Sequence, residues 1–211
     1  MNILFIDTET TGLDNQKHGI IEIALEFHVN GDKISEKCIK FYDRESIVDL
    51  SALKFNKVKY SDLVNLQDSK DAMIELIDYI LKLKTDRETV VCGHNVAFDL
   101  GMIKSLLSRH NIEGWDSVVS YRVLDTCTIA RFLIQAGIIE AEFGSKGAGL
   151  SNVANALGVS FKDLTLHTAA DDTKLCAAVY YAMLDKVRDL GPKRLGFKAN
   201  VSSSNPPGET I

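Results

Sequence analysis

Two carboxylates stand two residues apart in the run Phe5-Ile6-Asp7-Thr8-Glu9-Thr10-Thr11-Gly12. In an extended strand, residues i and i+2 project to the same side, so Asp7 and Glu9 would face each other as bare like charges unless a cation lay between them. Oxygen donors with no Cys or His beside them suit Mg²⁺ or Mn²⁺ better than zinc. A short acidic pair at a strand end is also what a solvated turn or a helix N-cap leaves behind. Asp99 opens a helical stretch in register with Met102, Ile103 and Leu106, so it is either a compensated carboxylate on a buried stripe or an N-cap favoured by the helix dipole. The run His167-Thr168-Ala169-Ala170-Asp171-Asp172 supplies two more aspartates. Leu175, Cys176, Val179 and Met183 lie three, four, seven and eleven positions beyond Asp172, so Asp172 points inward with them. Asp171, about 100° away round the helix, is a solvated neighbour. Imidazole as a side-chain type is suited to take a proton from water at neutral pH if a site lies within reach, which makes His167 the candidate; alone it would be a surface histidine.

The elements that must position these groups follow from hydropathy patterning. Residues 2–6 form the continuous apolar run of a buried central strand, with polar chemistry starting where it ends. A β-rich run over 20–29, the turn Asn30-Gly31-Asp32 and a run over 33–42 complete an antiparallel three-strand set. Helical spacing over 71–83, a buried strand over 89–93, a helix over 99–109, a strand over 117–124 and a helix over 125–135 alternate as in an α/β fold. The Gly-rich stretch 137–149 is a surface loop. Helices resume at 150–157 and about 168–188. The expected organisation is one domain over 1–189 and a flexible C-terminal tail over 190–211.

Composition narrows the function classes. The chain has 211 residues, 45% hydrophobic and 25% charged, as in an ordinary globular domain. No stretch approaches 18 consecutive apolar residues, and the opening reaches acidic residues too early for a secretory signal, so a cytoplasmic location is expected. Cys38, Cys92, Cys127 and Cys176 are scattered without a CxxC, which argues for reduced, mostly buried thiols. A net charge of −5 leaves no electrostatic footprint of tight duplex binding, so any nucleic-acid contact must be local or metal-assisted. His18, His28 and His110 lack acidic neighbourhoods and are assigned to the surface.

The order and context of FIDTETTGL, GHNVAFDLGMI and HTAADDT resemble the DnaQ-like, or DEDDh, family of 3′-to-5′ exonucleases. The resemblance covers residues 1–188: an Asp-x-Glu at the first strand end, an Asp after an HNxxFD-type motif, and a His followed five positions later by an Asp. It implies an α/β fold of the ribonuclease H-like kind, a mixed sheet with an antiparallel meander followed by parallel strands and with helices on both faces. By the same resemblance, Asp7, Glu9, Asp99 and Asp172 hold two divalent cations, Mg²⁺ or Mn²⁺, and His167 is the general base. The implied activity is release of 5′-mononucleotides from single-stranded or frayed DNA 3′ ends, in proofreading or repair. A DNA polymerase or other replication protein is the implied partner, with no membrane. Thr10, Thr11, Gly12 and Leu13 would meet the terminal nucleotide, Leu13 as a wedge or else as core. Asn95 and Phe98 would flank the third carboxylate, Phe98 stacking on a base or lying in the core. His94 stays outside the catalytic set, and Asp125 is structural. Residues 52–63 carry no glycine where many members have a Gly-containing turn. Three rival readings stay open: RNA 3′-end trimming or oligoribonucleotide hydrolysis, a non-catalytic binding module, and, poorly fitting, an aspartyl phosphatase.

Overall fold

The computed structural model describes residues 1–141 and 147–194. The strands are β1 (Asn2–Thr10), β2 (Ile20–Val29), β3 (Asp32–Tyr42), β4 (Gln67–Asp68), β5 (Thr89–Gly93) and β6 (Val123–Asp125). They form one sheet in the order β4-β3-β2-β1-β5-β6. β1, β2 and β3 are the expected antiparallel meander, whereas β5 lies parallel to β1 and β6 parallel to β5. The helices are α1 (Leu50–Phe55), α2 (Tyr60–Leu63), α3 (Ser69–Leu83), α4 (Ala97–Arg109), α5 (Trp115–Val118), α6 (Thr126–Gln135), α7 (Leu150–Leu157) and α8 (Ala169–Arg194).

Side-chain alternation along β1 divides the molecule. Leu4 and Ile6 point to one face, where they join Ile23, Leu25 and Phe27 of β2 and the buried stripes of α3 and α4. Ile3 and Phe5 point to the other, where they pack with Cys92 of β5 and with Cys176, Ala177 and Tyr180 of α8. Because β1 is covered on both faces, Ile3 to Ile6 are apolar without a break. α8 is held a second time by α6 and α7, through Leu133, Val153, Leu175, Val179 and Met183. A smaller cluster of Ile21, Tyr42, Leu53 and Leu63 fixes α1 and α2 across the ends of β2 and β3.

Several expectations are corrected. β1 does not stop at residue 6; pairing with β2 continues through Asp7, Thr8 and Glu9 to Thr10, so the acidic residues sit on the strand itself. The expected strand over 117–124 is mostly not one. Residues 115–118 turn as α5 to bury Trp115 and Val118 against the main core, and only Val123, Leu124 and Asp125 pair with β5. Tertiary burial outweighs the β-propensity of Val118 and Val119 here. α1, α2 and β4 were not anticipated. α8 continues to Arg194 through Gly191 and Pro192, because one missing donor weakens a last turn without forbidding it. The remainder of the tail, 195–211, and residues 142–146 of the Gly-rich stretch lie outside the described residues. His28 is buried, between Glu26 (Nε2 to Oε2, 3.1 Å) and the Tyr181 hydroxyl (3.1 Å to Nδ1), with its ring edge-on to Phe5. The spacing of Glu26 and His28 in one strand was a signal of the first partner, but Tyr181, 153 residues away, had none. Cys92 and Cys176 are buried free thiols, whereas Cys38 is exposed. Among the described residues no helix is long and apolar enough to cross a membrane.

Phe5 joins sheet to α8, packing against His28, Tyr180 and Tyr181. Phe5→Ala is expected to destabilise the fold by about 3–5 kcal/mol, measured as a lowered urea midpoint with an unchanged slope.

Candidate active site

The alternation that puts Ile3 and Phe5 under α8 also puts Asp7 and Glu9 there, one and two steps further along the same face. α8 begins beside them, and its inward stripe brings Asp172 to the strand end as the spacing predicts. One ligand oxygen from each of Asp7, Glu9 and Asp172 lies within 4.8 Å of the others. The backbone N–H of His167, two residues before α8, donates to Asp172 Oδ2 at 3.1 Å and helps orient this carboxylate.

Asp99 arrives from the opposite face. It lies in the first turn of α4, and its Oδ1 accepts from both the backbone N–H (2.9 Å) and the hydroxyl (2.7 Å) of Thr8, the residue of β1 that faces α4. The N-cap of α4 is Val96, so Asp99 is not a cap. Nor does it belong to the close group of three. It is nevertheless near enough that its charge raises the pKa of Asp7 and Glu9.

Burial and mutual repulsion keep these acids from ionising freely. Asp7 is held well above the usual carboxylate range, first by burial and then by the charges of Asp99, Asp172 and Glu9. Glu9 is pushed to about 7 by burial, aided by Asp172, Glu22 and Asp99. Asp99 rises to about 6 through burial, moderated by the bonds from Thr8. Asp172 is also raised by burial, against the hydrogen bond and charge of His167. An all-oxygen set with raised proton affinity and no cationic side chain inside it suits a hard divalent cation, which would replace the protons.

A cleft of about 510 Å³ opens over this group, lined by Asp7, Glu9 and Asp172 together with His167, Thr10, Gly12, Leu13 and Phe98. Leu13 is 84% exposed, so of the two readings open for it the core one fails. Gly12 has no room for a side chain, since a Cβ there would stand 2.3 Å from the His18 ring. His18 is thus not a free surface residue; its Nδ1 accepts from the N–H of Asp14 and supports the turn that presents Leu13. Phe98 is half-buried, reaching both cleft and core.

Two expected contacts are not brought to the cleft wall. Thr11 is fully buried, its hydroxyl donating to Ile47 O and accepting from Gly19 N–H. Asn95 is exposed with φ +65°, and its N–H donates to Asp125 Oδ1. Asp125 caps α6 through Cys127 N–H, the structural role expected of it. His94 bonds Thr126 and Ala148 O, away from the cleft. Asp171 does more than face water, since its Oδ2 accepts from Thr165 N–H and its Oδ1 meets Lys174. The far wall comes from α1, through Ser51, Ala52, Phe55 and Asn56, and was missed. The available signal was Asp49-Leu50-Ser51, a capping pattern in which Asp49 accepts from Ser51 N–H.

Residues 4–180 match the Exonuclease (RNase_T) family, and the chain belongs to that family, a DnaQ-like domain of ribonuclease H-like fold. It is similar to DNA polymerase III PolC-type of Staphylococcus aureus, 26% identical over 186 residues that make up 88% of this chain and 11% of that protein. Its fold is that of Escherichia coli exonuclease I in complex with a dT13 oligonucleotide, with a TM-score of 0.71 at 16% identity over 89% of this chain and 41% of that one. Exonuclease I from Methylocaldum szegediense superimposes with a TM-score of 0.72 at 17% identity, over 93% and 42% of the two chains. The chain therefore spans about a tenth of the length of the curated relatives and about two-fifths of the solved structures.

A carboxylate that gains proton affinity on folding stabilises the protonated native state, and that contribution fades as pH rises through the folded pKa. In a chelator, the melting midpoint is expected to fall between pH 4.5 and about 7, with a shallower fall in Glu9→Gln. Mg²⁺ or Mn²⁺ at pH 7 is expected to recover the loss. A midpoint that climbs equally in both proteins over this window would contradict the burial of Glu9.

Proposed function

We propose that this domain hydrolyses the terminal phosphodiester of single-stranded or frayed DNA from the 3′ end, releasing 5′-mononucleotides. The observation that carries the reading is the close grouping of Asp7, Glu9 and Asp172 in a cleft that also contains His167. Asp7, Glu9 and Asp172 would hold Mg²⁺ or Mn²⁺, with Asp99 completing the set for a second cation. When bound, such ions supply Lewis-acid polarisation of the phosphate and neutralise the negative charge that develops on it.

The chain's own residues carry the remaining steps. Leu13 projects from the β1–β2 turn at the cleft mouth and separates the terminal base from its neighbour, while Phe98 offers an aromatic face for stacking. Thr10, whose hydroxyl is spent on Gly12 O, and Gly12 present backbone to the terminal sugar. His167 accepts the proton of the attacking water; the P–O bond to the 3′ oxygen of the penultimate nucleotide breaks and the terminal nucleotide leaves with a 5′-phosphate. DNA is preferred over RNA because exonuclease I, of the same fold, is seen with dT13, and because PolC-type polymerase III is a DNA polymerase. That second similarity also makes a replication protein the proposed partner.

The test is digestion of 5′-labelled and 3′-labelled DNA and RNA oligonucleotides with Mg²⁺ or with EDTA. A 3′-to-5′ ladder that needs the metal is expected, abolished by Asp7→Ala and lowered by roughly 10²–10⁴-fold by His167→Ala. Asp171→Asn, which keeps an acceptor for Thr165, is expected to stay within about threefold of the parent. Faster cutting of RNA than DNA would transfer the assignment to 3′-end trimming of RNA, and intact oligonucleotides with either Mg²⁺ or Mn²⁺ would defeat catalysis by this domain.

A further inference from the structure

Of the groups assigned to the reaction at the carboxylate end of the cleft, His167 alone sits outside a helix or strand. It lies two residues before α8 with φ +67°, a left-handed conformation that costs a residue with a side chain on the order of 1 kcal/mol. Three hydrogen bonds hold the main chain there. His167 N–H donates to Asp172, Thr165 N–H donates to Asp171, and the Thr168 hydroxyl donates to Thr165 O. None of them reaches the imidazole, whose direction decides whether a ring nitrogen meets the attacking water.

The ring is met from across the cleft by the last turn of α1. The Phe55 ring lies with its centroid 4.3 Å from that of His167, tilted by 53°. Two residues on, Lys57, also left-handed at φ +57°, brings Nζ to 3.5 Å from Leu166 O. Between them, Asn56 Nδ2 donates to Thr10 O at 3.0 Å, one residue past Glu9. Three consecutive residues therefore touch both the strand that carries the carboxylates and the segment that carries the histidine. Phe55 is not what anchors α1, since Leu53 supplies that burial and Phe55 is 62% exposed. Its one aromatic neighbour among the described residues is the His167 ring.

We propose that Phe55 is a positioning residue for His167, restricting the imidazole to the orientation in which it accepts the proton, with Asn56 tying that position to β1. This rests on the reading of His167 as proton acceptor. A free imidazole spends most of its time in other rotamers, and misplacement by about 1 Å can lower a rate by on the order of 10²-fold.

The experiment uses the full chain, a 5′-labelled DNA oligonucleotide and Mg²⁺, with Phe55→Ala, Phe55→Tyr, His167→Ala and the Phe55→Ala/His167→Ala double variant. Phe55→Ala is expected to lower kcat by about tenfold with KM within about twofold, and Phe55→Tyr to restore kcat to within about twofold. In the His167→Ala background, Phe55→Ala is expected to cost no further activity, because the two act as a unit. A readout independent of turnover is the pair of carbon-bound ring protons of His167 in NMR spectra, shifted by the Phe55 ring current in the parent and in Phe55→Tyr and released in Phe55→Ala. A raised KM with unchanged kcat, multiplicative losses in the double variant, or ring resonances indifferent to Phe55→Ala would each overturn the proposal. Wild-type kcat in His167→Ala would instead overturn the assignment of the proton acceptor, and the positioning role with it.

Discussion

Mutual repulsion among carboxylates is the constraint around which this molecule is arranged. Two unit charges 4 Å apart repel by about 4 kcal/mol at the effective dielectric of a protein surface, and three such groups converge here within 4.8 Å. They do not separate because each is fixed to an element that cannot yield. Asp7 and Glu9 pair with β2 on a strand whose first half is also paired with β5, and Asp172 belongs to a long helix packed along that strand. The fourth acid, Asp99, is kept at the edge of the group by Thr8, which turns toward α4 because its neighbours in sequence turn toward α8. Strand alternation therefore decides which carboxylates meet and which one stands behind.

The repulsion sets the chemical character of the site as well. Burial and like charge raise all four acids, and the raised affinity for protons is also an affinity for any hard cation able to displace them. Cations held there would invert the potential locally on a chain whose net charge is otherwise negative.

Much of this was legible in the sequence for identifiable reasons. The period-two spacing of Asp7 and Glu9 and the period-3.6 stripe behind Asp172 are local patterns, and local patterns survive folding. Asp99 was legible as a carboxylate on the buried stripe of its helix, but not what compensates it, because the Thr8 bonds join residues 91 apart and only a three-dimensional arrangement creates them. α1 was missed for a similar reason: it is six residues long, and its burial rests on Leu53 meeting Ile21, Tyr42 and Leu63. Residues 115–118 misled in the other direction, since Val118 and Val119 favour a strand until Trp115 finds the core. His28 shows the limit most plainly. Nothing within a few residues announces Tyr181, and without it the ring reads as surface.

The cleft is built from elements of unequal length and burial. Its acidic floor belongs to a nine-residue strand and a 26-residue helix packed on each other, whereas the walls that carry Leu13, Phe55 and His167 are a turn, a six-residue helix and a short connecting segment. Leu13 and Phe55 in those walls are exposed, so substitutions there change the cleft while leaving the folding core intact. Sequence change can therefore reshape the mouth of this cleft without first having to rebuild the protein that carries it.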